Sequence, residues 1–301
     1  NKFTSEESLV LAEALAHYAF RTDYILDVTP EEQSGIDVLR KSIESGTETD
    51  AANIALFACY EPLYALKNAA AIAKAFEASS LSGIIRSQVL DYNELKKNAA
   101  NVTAITPIDS GVSAQVQEQY EEFPYPQWNL VSQKGLARTW KTLNAKFIGS
   151  LTDRKIDILS AGCGTGQETM LLSSVFPQAN IIAVDLSRSS LAYATKKADD
   201  YGIKNITFRQ GDILRLGALD RKFDFISSMG VLHDMQDPVK GWQVLCDLLK
   251  PGGTMLIALY SKIARKKLLA AQDVVKQRGY GHTAAEMRRF RKESPVFLEK
   301  D

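Results

Sequence analysis

The pentapeptide Gly162-Cys163-Gly164-Thr165-Gly166 follows the apolar run 156–160 and precedes a helical pattern that starts near Gln167. Glycines alternating at a strand-to-helix junction give backbone without side chains, against which a ligand can lie at the edge of a sheet. Two acids stand at corresponding places downstream: Asp185 closes the run 180–184, and Asp212 follows Gln210-Gly211 at the end of 206–210. A carboxylate at the second position can accept hydrogen bonds from two ribose hydroxyls, and one at the third can accept from an adenine amino group. Each feature alone is also what an ordinary turn or helix cap supplies. Together, at the ends of three successive strands, they indicate an adenosine-containing ligand, with Leu186, Ile213, Met229 and Gly230 on the same edge.

The spacing narrows the ligand. Dinucleotide sites use G-x-G-x-x-G, which would place the third glycine at 167, where this chain has Gln167. A nicotinamide-dependent oxidoreductase is therefore the disfavoured rival. S-adenosylmethionine has no phosphate; its carboxylate and ammonium can meet the loop and the positive end of the following helix. His233, just past the run 223–228, is the candidate for a base or for holding an acceptor. A cap or packing role is the plainer alternative for it. Cys59, Cys163 and Cys246 are far apart and lack metal-ligand spacing, so we expect no metal and a reducing, cytoplasmic setting.

These residues need elements to hold them. Short apolar runs at 156–160, 180–184, 206–210, 223–228 and 254–259 alternate with helical patterns, which predicts an α/β, Rossmann-like parallel sheet of order 3-2-1-4-5. Ahead of it, residues 4–104 read as an all-α helical domain. Thr4 with Glu7 forms a capping box, Leu11, Leu15 and Tyr18 recur at helical spacing, and Thr29-Pro30 with Glu32 opens a second helix bearing Ile36, Leu39 and Ile43. The expected division is a helical domain at 1–110, an aromatic lid or linker with a first helix at 111–150, and the ligand-binding domain at 151–301. The lid reading rests on Tyr120, Tyr125 and Trp128 among Pro124 and Pro126, whose ring faces would favour a sulfonium. Such clusters also pin linkers to cores.

Over about 155–260 the chain resembles class I S-adenosylmethionine-dependent methyltransferases: the glycine loop, Asp185, Asp212, the stretch Met229-Gly230-Val231-Leu232-His233-Asp234 and Leu248-Leu249-Lys250-Pro251-Gly252-Gly253 carry the likeness. A closer similarity is to bacterial methyltransferases associated with tetratricopeptide repeats, through Tyr120-Glu121-Glu122-Phe123-Pro124-Tyr125-Pro126 and Leu259-Tyr260-Ser261-Lys262. The resemblance implies that the chain is an S-adenosylmethionine-dependent methyltransferase, with a protein or peptide acceptor slightly ahead of a small molecule. A non-catalytic S-adenosylmethionine-binding interaction module is the alternative. Two departures stand out. Ser160 occupies the position where many members carry an acid, two residues before the first loop glycine, and 261–301 reads as helix, so the family's final hairpin strands are expected to be absent.

Composition limits the partners. Lys plus Arg and Asp plus Glu are equal at 36 each, which argues against nucleic acid and anionic lipid as general partners. No apolar run reaches the roughly 20 residues of a membrane helix. Asn1-Lys2-Phe3-Thr4 shows neither an initiator Met nor a signal peptide, and a piece of a longer chain is expected.

Overall fold

The computed structural model describes residues 6–108, 111–122, 128, 155–281 and 283–297. The chain divides into two compact units, 1–94 with 262–301 and 95–261. The three-part division expected from the sequence has its first boundary near 110. In the structure Ala104 is bridged to Gln210, and Ile105 donates to the Gln210 carbonyl at 2.8 Å, so this stretch belongs with the sheet.

The helical unit begins with α1 (Glu6–Arg21), α2 (Pro30–Glu44), α3 (Ala51–Ala58), α4 (Ala69–Phe76) and α5 (Ser82–Ile85), after which a π-turn (Arg86–Leu90) leads into α6 (Asp91–Ala100). Thr29 caps α2 as its sequence predicts: its hydroxyl accepts from Glu32 N and the Glu32 carboxylate accepts from Thr29 N. Ile36 and Ile43 are buried, with Leu39 packed against them. On α1 the larger residues do not make the core face. Leu11, Leu15 and Tyr18 are 56%, 45% and 53% exposed, while Ala12, Ala16 and Ala19 are buried. Both stripes repeat at helical spacing; the alanines win because their size lets α3 approach closely.

In the second unit, α7 (Val112–Glu122) precedes β1 (Asp157–Ala161), α8 (Gln167–Val175), β2 (Asn180–Asp185), α9 (Arg188–Asp200), β3 (Ile206–Gln210), β4 (Phe223–Met229), α10 (Pro238–Asp247) and β5 (Leu249–Ala258). The strands are all parallel in the order β3-β2-β1-β4-β5, as the alternating pattern predicts. Alternate residues of each strand serve opposite faces. Ile158, Ile181 and Phe225 meet Leu171, Leu172 and Phe176 of the α8 region, whereas Leu159, Val184 and Ile226 meet Leu245 and Leu248. Each such side chain, fully buried, contributes about 1.5–3 kcal/mol, which is what fixes the strand register beneath the site. β5 is longer than the predicted 254–259, because Leu249 pairs with Phe223 before a register shift and Thr254 pairs with Phe225. Pro251 is tolerated there because β5 is an edge strand.

After Ser261 the described residues form α11 (Lys266–Arg278), α12 (Ala284–Glu293) and a short 3-10 turn, and no strand follows β5 among them. The helical reading of this stretch therefore holds among the described residues. α12 is capped by Thr283, whose hydroxyl accepts from Glu286 N. Arg289 of its basic run pairs with Glu293 at 2.9 Å, in keeping with a solvated helix face. No helix among the described residues is long and apolar enough to cross a membrane.

Candidate functional site

The parallel order brings the carboxyl ends of β1, β2, β3 and β4 to one edge, and the sequence-selected residues meet there. The glycine loop leaves β1 with positive φ at Gly162 (75°), Gly164 (51°) and Gly166 (82°), values an L side chain rarely adopts. Two of these also lack room. A Cβ on Gly162 would lie 2.4 Å from Val231 Cγ2, and one on Gly166 would lie 2.7 Å from Ala194 Cβ. The loop is held by its own amides. Gly162 and Cys163 both donate to the Val184 carbonyl, at 2.8 and 3.0 Å, and Gly166 donates to Cys163 O at 2.9 Å. Trp128 braces it from behind: its indole N–H donates to Thr165 O at 3.1 Å, and its backbone is tied to the Tyr193 hydroxyl. That is the linker-pinning role rather than a cover over a ligand.

Asp185 ends β2 against this loop. Its Oδ2 accepts from Gly164 N at 2.7 Å and its Oδ1 from Ser187 N at 3.0 Å, which leaves further lone pairs on both oxygens. Burial pushes its carboxyl above the usual aspartate value, against the pull of those backbone bonds. Asp212 is 2% exposed. Its Oδ1 caps the following turn by accepting from Leu214 N at 2.9 Å, and its own N–H donates to Thr106 Oγ1 at 2.7 Å. Its Oδ2 is buried without a hydrogen-bond partner among the described residues. Gly211 beside it is packed so that a Cβ would lie 3.1 Å from Val184 and 3.2 Å from Ile105. An orphaned carboxylate oxygen is costly unless something supplies a donor, so this atom fits an exocyclic amino group.

Of the other selected residues, Ile213 is buried behind Asp212, the Leu186 carbonyl accepts from Gln210 Nε2 at 3.0 Å, and Met229 is 43% exposed at the end of β4, followed by Gly230 at φ 73°. Gln167 is the first residue of α8. His233 lies in a 3-10 turn, Leu232–Asp234, with its ring 4.3 Å from that of Tyr260. Both ring nitrogens are buried without a hydrogen-bond partner. Asp234 Oδ2 is 3.4 Å from Nε2 but not in hydrogen-bond geometry. Tyr120 sits near the C-terminus of α7, where its carbonyl accepts from Ser187 Oγ at 2.9 Å. Tyr125 lies outside the described residues.

Sequence reasoning missed two acids. Glu121, next to Tyr120, caps α9: its carboxylate accepts from Arg188 N, Ser189 N and Ser189 Oγ at 2.6, 3.0 and 2.6 Å, which fastens α7 beside Asp185. Glu168, in the first turn of α8, accepts from Ser227 Oγ at 2.7 Å and Ser160 Oγ at 3.4 Å. Burial lifts its carboxyl to about 7, against those two hydroxyl bonds. Burial, together with Asp185 and Glu168, also pushes the Cys163 thiol well above its usual value. Among the described residues none of Glu168, Asp185 and Asp212 forms an ion pair. The edge thus gathers three carboxyls, with the two at Glu168 and Asp185 pushed up by burial.

Residues 152–292 match a family described as a methyltransferase domain. Among curated proteins, an uncharacterized protein of a Synechococcus strain is 29% identical over 194 residues, covering 62% of this chain and 46% of that protein. The trans-aconitate 2-methyltransferase of Deinococcus radiodurans is 34% identical over 100 residues, covering 33% of this chain and 36% of the relative. The malonyl-[acyl-carrier protein] O-methyltransferase of Priestia megaterium is 32% identical over 126 residues, covering 42% and 44%. The chain spans less than half the length of each of these relatives.

Proposed function

We propose that the chain, whose residues 152–292 match a methyltransferase domain and whose strands run parallel in the order β3-β2-β1-β4-β5, is an S-adenosylmethionine-dependent methyltransferase that moves the methyl group of that donor to an acceptor. The observation that carries the reading is Asp212 Oδ2, a buried acceptor without a partner at the end of β3. On this reading it receives the adenine amino group, Asp185 holds the ribose hydroxyls, and the loop 162–166 with Gln167 meets the methionine portion. On the same reading Leu186, Gly211, Ile213, Met229 and Gly230 belong to the surroundings of the donor, and Tyr120 has a covering role together with Tyr125, which lies outside the described residues.

The donor, when bound, supplies a methyl group on a sulfonium, open to in-line displacement. The chain's part is then alignment and exclusion of water, with a proton taken only if the acceptor must lose one. His233, with two unpaired nitrogens beside Tyr260, is placed by this reading at the acceptor, as base or as positioning group. Its replacement by Ala is expected to lower turnover at least about tenfold while leaving donor affinity within about twofold. Equal losses in turnover and donor affinity would remove it from that role.

The acceptor class follows less directly. A protein or peptide is slightly favoured through the likeness to repeat-associated enzymes, and the free cysteines suit the cytoplasm. Incubation of the chain with methyl-labelled donor and a bacterial extract tests the proposal. Label appearing in an acceptor together with S-adenosylhomocysteine supports it, and separation of protein from small metabolites identifies the class. Donor binding without any turnover would overturn the enzymatic reading in favour of a binding module.

A further inference from the structure

Ser160 leaves the end of β1 without an acid, yet the structure puts one beside it. Glu168 reaches back from the first turn of α8 to the hydroxyls of Ser160 and Ser227, which are themselves paired neighbours on β1 and β4 and both 1% exposed. Thr169 Oγ1 completes the cluster, 2.8 Å from Ser160 Oγ. Two hydroxyl donors are thin compensation for a carboxylate so placed, and among the described residues no cation faces it. β1 and β4 present only the two serines; Asp157 and Asp224 lie at the far ends of those strands, joined to Lys250 at 3.0 and 2.7 Å. The loop contributes the Cys163 thiol, and beyond it stands Asp185. Burial lifts this carboxyl to about 7, so near neutral pH a substantial fraction of it is neutral, and a cation arriving beside it draws it toward the carboxylate.

We propose that Glu168, acting through the hydroxyls of Ser160 and Ser227, supplies the counter-charge for the ammonium group of the methyl donor, so that donor affinity follows the ionisation of this one carboxyl. A serine hydroxyl can donate to the carboxylate while its lone pairs accept from an ammonium, so the charge is passed on without direct contact. This rests on the donor reading above and adds to it a residue and a pH response. No covalent bond forms between donor and protein; where Glu168 is protonated, its O–H proton passes to the buffer as the cation binds.

The sign is fixed by the raised carboxyl. Below about 7 it is mostly neutral in the free protein, so donor binding must displace its proton and weakens as pH falls. For a group titrating near 7, the ionised fraction drops about eightfold from pH 7.5 to pH 6.0. Calorimetric titration of the full chain with S-adenosylmethionine at both pH values should show a loss of that order for the wild type. Glu168→Gln, the same shape without charge, should bind at least about tenfold more weakly than the wild type at pH 7.5, come much closer to it at pH 6.0, and show no pH dependence of its own. At pH 7.0, titration of the wild type in two buffers of different ionisation enthalpy should reveal proton release on binding, a readout that needs no variant to fold. Tight binding with the same affinity at both pH values and no proton release would overturn this inference while leaving the donor site standing. Absence of binding at either pH would overturn the donor reading, and this inference with it.

Discussion

Asp185→Ala should weaken S-adenosylmethionine binding at least about 100-fold. Two charge-assisted hydrogen bonds to ribose hydroxyls, each worth about 1.5–3 kcal/mol, vanish together, and each 1.4 kcal/mol is a factor of ten. The carboxylate also accepts from Gly164 N and Ser187 N, so its loss loosens the glycine loop and the start of α9. Asp185→Asn separates these effects, since its amide oxygen can keep one backbone bond while the negative charge is gone. The Asn variant should retain the wild-type circular dichroism and melting profile closely, yet still bind at least about tenfold more weakly. Wild-type affinity in a folded Asn variant would refute the ribose assignment.

Gly162→Ala is expected to act on fold and site at once. The residue has φ 75°, where a Cβ costs about 1–2 kcal/mol, and that Cβ would fall 2.4 Å from Val231 Cγ2. Overlap at a packed contact adds about 1–3 kcal/mol. Urea melts should therefore show a loss of about 2–5 kcal/mol, with donor binding reduced because the loop can no longer lie against the end of β2. Pairing it with Val231→Ala isolates the overlap. The double variant should recover part of the stability, the backbone strain remaining. A Gly162→Ala protein as stable as wild type would show that the loop does not hold this conformation.

Much of this was legible in the residues because the governing constraints are local. Strands buried on both faces read as unbroken apolar runs such as Ile181-Ile182-Ala183-Val184, and their alternation with helical periods fixes a parallel sheet and hence which ends share an edge. The glycines, Asp185 and Asp212 could be picked out since each sits immediately after a strand. What escaped depends on partners distant in sequence. Glu168 looked like any acid in a first helical turn, where it favours the dipole; its significance comes from Ser227, on another strand. Glu121 was passed over for its aromatic neighbour, and only the packing of α7 on α9 makes it a cap. Trp128 drew attention as part of a possible lid, whereas its hydrogen bond to Thr165 makes it a brace for the loop. On α1 periodicity gave the helix but not its inner face, because two stripes with the same spacing differed only in side-chain size.

On the proposed reading Asp212, the glycine loop and Asp185 hold an adenosine-containing methyl donor rather than a dinucleotide. Titration of the full chain with S-adenosylmethionine and, under the same conditions, with NAD+ tests this most directly. We expect one donor bound per chain with a dissociation constant on the order of micromolar to tens of micromolar, and no measurable heat from NAD+. Saturable binding of NAD+ with none of S-adenosylmethionine would contradict the account.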